Sequence, residues 1–123
     1  MTRRILIVDD SESFRSTASV LLVTRGFELV ESVPDGEAAL ASVADDCPDG
    51  ILLDINLPGR DGFAVATAIA ATHPAVKIVL TSSDTDDVSG AVLRTCGATA
   101  FVPKTELATA DLEAFFSDST LES

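Results

Sequence analysis

Five short predicted strands, each followed by a segment with helical spacing, limit the possible folds of this chain more than any other feature. The strands are Ile5–Val8, Phe27–Val33, Ile51–Leu53, Val76–Leu80 and Ala100–Val102, of which Phe27–Val33 is predicted to be less buried. Ile5–Val8 is continuous and rich in β-branched side chains, which is typical of a strand buried on both faces. Strands that alternate with helices in this way predict an α/β domain, with a parallel sheet covered by helices on both faces.

The intervening segments predict five helices. They span Ser11–Arg25, residues 36 to about 44 after a capping Asp35, Gly62–Thr72, Thr85–Cys96 and Thr105–Ser117. The predicted inward faces are Phe14, Ala18, Leu21 and Leu22 in the first helix and Leu40, Val43 and Ala44 in the second. Right-handed crossovers leave few topologies, and a flavodoxin-like, doubly wound sheet of order 2-1-3-4-5 fits the five units best. Its ligand crevice would lie beyond the carboxyl ends of the first and third strands.

Length and charge restrict the class of protein. The 123 residues suit one domain, predicted over residues 1–117, with a polar tail at 118–123. The formal net charge of −12 disfavours direct binding to nucleic acid and to anionic membranes. No signal peptide and no apolar stretch of membrane-spanning length is apparent, so we expect a cytoplasmic protein. Cys47 and Cys96 form no metal-binding motif and are predicted to be buried, reduced thiols.

Carboxylates stand at the ends of two strands that the predicted topology makes neighbours. Asp9 and Asp10 follow the first strand, and Asp54 follows the third. Neighbouring strands lie about 5 Å apart, so the three acids would crowd one crevice and repel each other unless a cation intervened. Mg²⁺, which prefers oxygen ligands, is the candidate. For Asp9 or Asp10 taken singly, capping of the next helix is an equally good interpretation.

Two further polar residues end neighbouring strands. Thr81 or Ser82 ends the fourth strand, and Lys104 follows the fifth. Taken alone, the lysine would be a simple ion-pair partner. A nucleophilic carboxylate, a cation site, a hydroxyl and a lysine together are what phosphoryl transfer requires, because its catalysis is mostly positioning and charge neutralisation.

These residues lie in four motifs through which the chain resembles the response-regulator receiver family. The motifs are residues 7–11 (IVDDS), 54–62 (DINLPGRDG), 80–83 (LTSS) and 97–104 (GATAFVPK). Each motif is weakly specific, but the four in order are strongly so, and the resemblance runs from about Arg4 to Phe116.

The resemblance implies that Asp54 is phosphorylated from a phosphohistidine on a sensor kinase or histidine phosphotransfer protein. It implies a magnesium site formed by Asp9, Asp10, Asp54 and the backbone carbonyl of Asn56, with Lys104 on the phosphoryl oxygens. The family's spacing favours Ser82 over Thr81 as the switch hydroxyl. Phe101 occupies the aromatic switch position, and the fourth helix, fifth strand and fifth helix would form the partner-binding face. The chain would be a monomer or a weak, phosphorylation-dependent dimer, and no enzyme beyond its own phosphotransfer and dephosphorylation.

The family also suggests how long the phosphoryl group lasts. Asn56 and Asp84 occupy the positions that flank the path of the hydrolytic water, and both are polar, which implies a short-lived phosphoryl state. Thr105 is a departure, because many receivers have proline after the lysine, often through a cis bond.

Three other classes compete with this interpretation. The first is a degenerate receiver that acts only as an interaction module, against which the intact set of Asp9, Asp10, Asp54, Ser82 and Lys104 argues. A small Mg²⁺-dependent phosphatase usually requires a second aspartate where Asn56 stands, and it carries a cap domain for which this chain has no room. A flavodoxin-like electron carrier would need a phosphate-binding loop in place of Asp9 and Asp10. A complete chain would be a stand-alone receiver, whereas a fragment would have lost an output domain.

Overall fold

A computed structural model describes residues 3–59, 61–83 and 90–116 of the chain. The strands are β1 (Arg4–Val8), β2 (Glu28–Val33), β3 (Gly50–Asp54), β4 (Lys77–Ser82) and β5 (Ala100–Pro103). They form one parallel sheet of order β2-β1-β3-β4-β5. The predicted flavodoxin-like topology is therefore confirmed.

Five α-helices lie within the described ranges, as predicted. They are α1 (Glu12–Thr24), α2 (Gly36–Asp45), α3 (Gly62–Thr72), α4 (Gly90–Cys96) and α5 (Leu112–Phe116). The first three begin at side-chain caps, in which Ser11, Asp35 and Asp61 accept a hydrogen bond from the backbone N–H three residues later. Because Ser11 caps α1, capping does not explain Asp9 or Asp10. Within the described ranges, no helix is long and apolar enough to cross a bilayer.

The sheet separates two hydrophobic cores. Leu6, Val8 and Leu53 point to a core that α2, α3 and α4 complete, here called the α2–α4 core. Ile5 and Ile7 point to the opposite face, where α1 and α5 complete the α1/α5 core. Burial on both faces explains why the central strands read as uninterrupted apolar runs.

The last helix was predicted wrongly. The sequence pattern indicated a helix over Thr105–Ser117, but a 3₁₀ turn occupies Lys104–Glu106 and α5 begins only at Leu112. The carbonyls of Ala108 and Ala110, which a continuous helix would use internally, instead accept hydrogen bonds from the guanidinium of Arg25. Residues 85–89 of the predicted fourth helix, Ser117 and the tail at 118–123 lie outside the described residues.

Two smaller expectations also failed. Cys47 is exposed rather than buried, because it lies in the turn after α2, beside the ion pair between Arg4 and Asp46. Cys96 is buried as predicted, and both thiols are free. In α2, Ala44 faces solvent and Ala39 is buried in its place.

Candidate functional site

The carboxyl ends of β1 and β3 bring three acidic side chains together. Asp54 is the last residue of β3, and Asp9 directly follows β1, its neighbour in the sheet. Asp9 and Asp54 are 0% and 4% exposed, whereas Asp10 is exposed. Each of the three offers an oxygen, and these oxygens all lie within 4.8 Å of one another. The crowding that the sequence predicted is therefore present.

Backbone hydrogen bonds orient the two buried carboxylates. Oδ1 of Asp9 accepts from the N–H of Ser11 at 2.8 Å, and Oδ1 of Asp54 accepts from the N–H of Asn56 at 3.0 Å. Arg15, on the first turns of α1, donates from Nη1 to the backbone carbonyl of Asp9 at 2.7 Å. The loops after β1 and β3 thus fix one oxygen of each acid and leave Oδ2 facing the crevice.

Lys104 reaches these oxygens from the end of β5. Its Nζ lies 2.7 Å from Oδ2 of Asp9 and 3.6 Å from Oδ2 of Asp54. The same ammonium lies 4.2 Å from the centroid of the Phe14 ring on α1. The described residues contain no cis peptide bond, so the bond between Lys104 and Thr105 is trans.

A buried hydroxyl group completes the crevice. Ser82 ends β4, is almost fully buried, and accepts a hydrogen bond at its Oγ from Nδ2 of Asn56 at 3.0 Å. Thr81, the other candidate, pairs with Asp54 in the sheet, and its buried Oγ1 has no hydrogen-bond partner among the described residues. The structure thus connects Ser82 with the loop after Asp54. Asp84 lies outside the described residues.

Phe101 lies one strand further along the sheet. It pairs with Leu80 of β4, while Ser82 pairs with Pro103. Its half-buried ring packs against the α2–α4 core. The ring therefore lies on the strand next to that of Ser82, as the sequence predicted.

Burial raises the pKa of Asp54 above that of an ordinary aspartate, because the charged form loses its hydration. The N–H of Asn56 opposes this shift, the negative charge of Asp9 adds to it, and Lys104 opposes it, with burial the largest effect. Ionisation of Asp54 is costly in this buried position beside Asp9, and a bound cation would stabilise its charged form. The all-oxygen donor set of Asp9, Asp10 and Asp54 fits Mg²⁺.

Sequence reasoning missed the roles of three residues in this arrangement. Phe14 was assigned only to the apolar face of the first helix, and Arg15 was not considered. Their position in the sequence could have indicated a role, since both lie in the first turns of α1, a few residues after Asp9 and Asp10. Gly62, at the start of α3, also lies directly against the backbone of Asp54 and Ile55.

Comparison with known proteins places this arrangement in a family. The response regulator receiver domain matches residues 5–115. A protein-glutamate methylesterase/protein-glutamine glutaminase from Anaeromyxobacter dehalogenans is 36% identical over 89% of this chain and 32% of its own length. The DNA-binding response regulator MtrA of Mycolicibacterium smegmatis is 36% identical over 85% of this chain and 45% of its own length. The chain therefore spans less than half the length of either relative.

A solved structure agrees with these matches. A LuxR-family two-component response regulator from Aurantimonas sp. SI85-9A1 superposes with a TM-score of 0.83 and 26% identity, covering 94% of this chain and 86% of that one. Because the family match spans nearly the whole described chain, the protein belongs to the response regulator receiver domain family of two-component systems.

Proposed function

We propose that this chain is the phosphoacceptor domain of a two-component phosphorelay, and that Asp54 accepts a phosphoryl group from a phosphohistidine. The observation that carries the proposal is the setting of Asp54, a buried strand-end carboxylate between a second buried acid and a lysine. The donor would be a sensor histidine kinase or a histidine phosphotransfer protein in the cytoplasm.

In the proposed reaction, a carboxylate oxygen of Asp54 attacks phosphorus in line with the phosphohistidine. The P–O bond forms as the P–N bond breaks, the electron pair returns to the imidazole nitrogen, and the product is an acyl phosphate. Lys104, 3.6 Å from Oδ2 of Asp54, would neutralise the phosphoryl oxygens. Asp9, Asp10, Asp54 and the backbone carbonyl of Asn56 would hold Mg²⁺, which supplies further neutralisation of negative charge.

The response to phosphorylation is proposed to pass through Ser82 and Phe101. A phosphoryl group offers new acceptor oxygens, and the Ser82 hydroxyl is a buried donor beside the loop that follows Asp54. If this hydroxyl moves toward the phosphoryl group, Phe101 can take up the vacated space from the neighbouring strand. The surface of α4, β5 and α5 would then change its affinity for a downstream protein, which is either a separate chain or another domain of the same one.

The test is phosphorylation by acetyl phosphate and Mg²⁺, followed by intact-mass and peptide mass spectrometry. We expect the wild type to gain one phosphoryl group on Asp54 and Asp54→Asn to gain none. Asp61→Asn is the matched control, because Asp61 is exposed in the same loop and asparagine caps a helix equally well. An unmodified wild type would favour the alternative function, an interaction module that is never phosphorylated.

The metal site is tested separately by thermal unfolding. Mg²⁺ should raise the melting temperature of the wild type by mass action, and EDTA should abolish the increase. Asp9→Asn should respond less, because a buried ligand is lost. A wild-type melting temperature that does not change with Mg²⁺ would contradict the site.

A further inference from the structure

Among the described residues, Lys104 contacts two carboxylates and one aromatic ring. Its Nζ is 2.7 Å from Oδ2 of Asp9, 3.6 Å from Oδ2 of Asp54 and 4.2 Å from the centroid of the Phe14 ring. The side chain of Lys104 is 18% exposed, so these groups replace most of its contact with water. A cation at this distance over the face of an aromatic ring is attracted by the negative potential of that face.

The shortest of the three contacts conflicts with the proposed chemistry. Asp9 is one of the three acids proposed to bind Mg²⁺, and a metal on its carboxylate would weaken its attraction for the ammonium. The ring of Phe14 has no oxygen for a metal to bind. It therefore attracts the ammonium without competing for the metal.

We propose that Phe14 is a positioning residue for phosphoryl transfer, which holds the ammonium of Lys104 over the crevice when Mg²⁺ occupies Asp9. The inference rests on the proposed function, since it assigns Phe14 a role in that same site. Phe14 acts on the reaction only through Lys104.

Phe14 lies at the edge of the α1/α5 core, next to Lys104. A cavity of about 160 Å³ adjoins both residues, and Leu21 and Leu107 also line it. Ala18 and Leu22 of α1 are buried in the α1/α5 core. Phe14 packs against the same core, but its ring is only half-buried and also lies beside the ammonium.

The decisive experiment replaces Phe14 site-specifically with mono-, di- and trifluorinated phenylalanine. Fluorine withdraws charge from the ring face while the shape of the ring is nearly preserved, so the series weakens the attraction for Lys104 with little change in packing. We expect the rate of phosphorylation by acetyl phosphate, at saturating Mg²⁺, to fall stepwise by about two- to fivefold over the series. Phe14→Leu should lose a similar factor, and Phe14→Tyr should stay near the wild-type rate.

The control is Leu21→Ala, which enlarges the same cavity from the same helix. Leu21 is not one of the described residues that contact the ammonium, so its loss should lower stability and leave the rate unchanged. Rates unaffected by fluorination, or an equal loss of rate in Leu21→Ala, would overturn the proposal. Those results presuppose a phosphorylated wild type, so they are distinct from a failure of the proposed function, in which the wild type itself stays unmodified.

A second measurement needs no phosphorylation. In the wild-type NMR spectrum, the ring current of Phe14 should move the Hε signals of Lys104 upfield, and Phe14→Leu should return them to ordinary values. Hε shifts that are ordinary in the wild type, both with and without Mg²⁺, would show that the ring does not hold the lysine.

Discussion

Gly62→Ala should damage both the stability and the chemistry of this domain. A Cβ at Gly62 would lie 2.4 Å from the carbonyl oxygen of Asp54 and 2.5 Å from Cα of Ile55, about 1 Å closer than ordinary contact. Both neighbours are backbone atoms, so no side-chain rotation relieves the clash. Either the start of α3 or the end of β3, which carries Asp54, must move.

The magnitude follows from two opposing effects. Overpacking of this kind costs about 1–3 kcal/mol, and the better helix propensity of alanine returns up to about 1 kcal/mol. The net loss of about 1–2 kcal/mol should lower the melting temperature by roughly 4–8 °C in a chain of this size. Because a misplacement of about 1 Å at a reacting group can cost about 100-fold in rate, phosphorylation by acetyl phosphate should slow at least about tenfold.

Gly59→Ala is the matched control in the same loop. Gly59 has a φ of +80°, and no described atom lies within 4 Å of the position that an added methyl group would take. Alanine there incurs only backbone strain of about 1 kcal/mol, and the phosphorylation rate should be unchanged. If Gly62→Ala keeps the wild-type melting temperature and phosphorylation rate, the close packing of Gly62 against the backbone of Asp54 is refuted. If the variant loses stability but keeps the wild-type rate, the proposed effect of this packing on the reactivity of Asp54 is refuted.

Three further predictions concern the acidic crevice. Without metal at pH 7, Asp54→Asn should be more stable than the wild type. The raised pKa of Asp54 means that the folded state keeps this proton to higher pH than the unfolded state, so wild-type stability falls as the pH rises from the ordinary aspartate pKa through the raised one. Urea unfolding in EDTA should show this fall for the wild type and not for the variant. Ser82→Ala should be phosphorylated, yet the amide NMR shifts of Phe101 and residues 90–96 should respond less than in the wild type. The wild-type acyl phosphate should decay in seconds to minutes, and Asn56→Met should slow the decay, measured as loss of the phosphorylated form after acetyl phosphate is removed. A wild-type lifetime of hours would contradict the role of Asn56.

The sequence predicted the fold well where local signals and burial agree. The predicted bounds of α3, Gly62–Thr72, coincide with the observed ones, because Asp61 caps its start and His73-Pro74 ends it. The acids at strand ends were expected to meet because parallel strands end on one edge of the sheet, and Asp9 and Asp54 do meet there.

The failures have a common physical origin in contacts distant along the chain. The region of Thr105–Asp111 has apolar residues at helical spacing, but Arg25 satisfies its carbonyls from 83 and 85 residues away. The contact between Phe14 and Lys104 could not be predicted for the same reason. From the sequence alone, an aromatic residue on the apolar face of a helix is interpreted as a core residue, and only the fold brings Lys104 to its ring.

The contacts of Arg25 also bear on the order in which the chain can fold as it is synthesised. The α1/α5 core takes Ile5 and Leu22 from the first part of the chain and Leu112 and Phe116 from the last part. Until residues 108–116 have left the ribosome, α1 lacks α5 as a neighbour and lacks the carbonyls of Ala108 and Ala110 that Arg25 binds. On that face of the sheet, the part that α5 covers therefore stays open through most of translation, while the α2–α4 core, drawn from residues 6–101, can close first. A nascent chain halted with residue 105 at the exit of the ribosomal tunnel should be better protected from protease in the α2–α4 core than in the α1/α5 core.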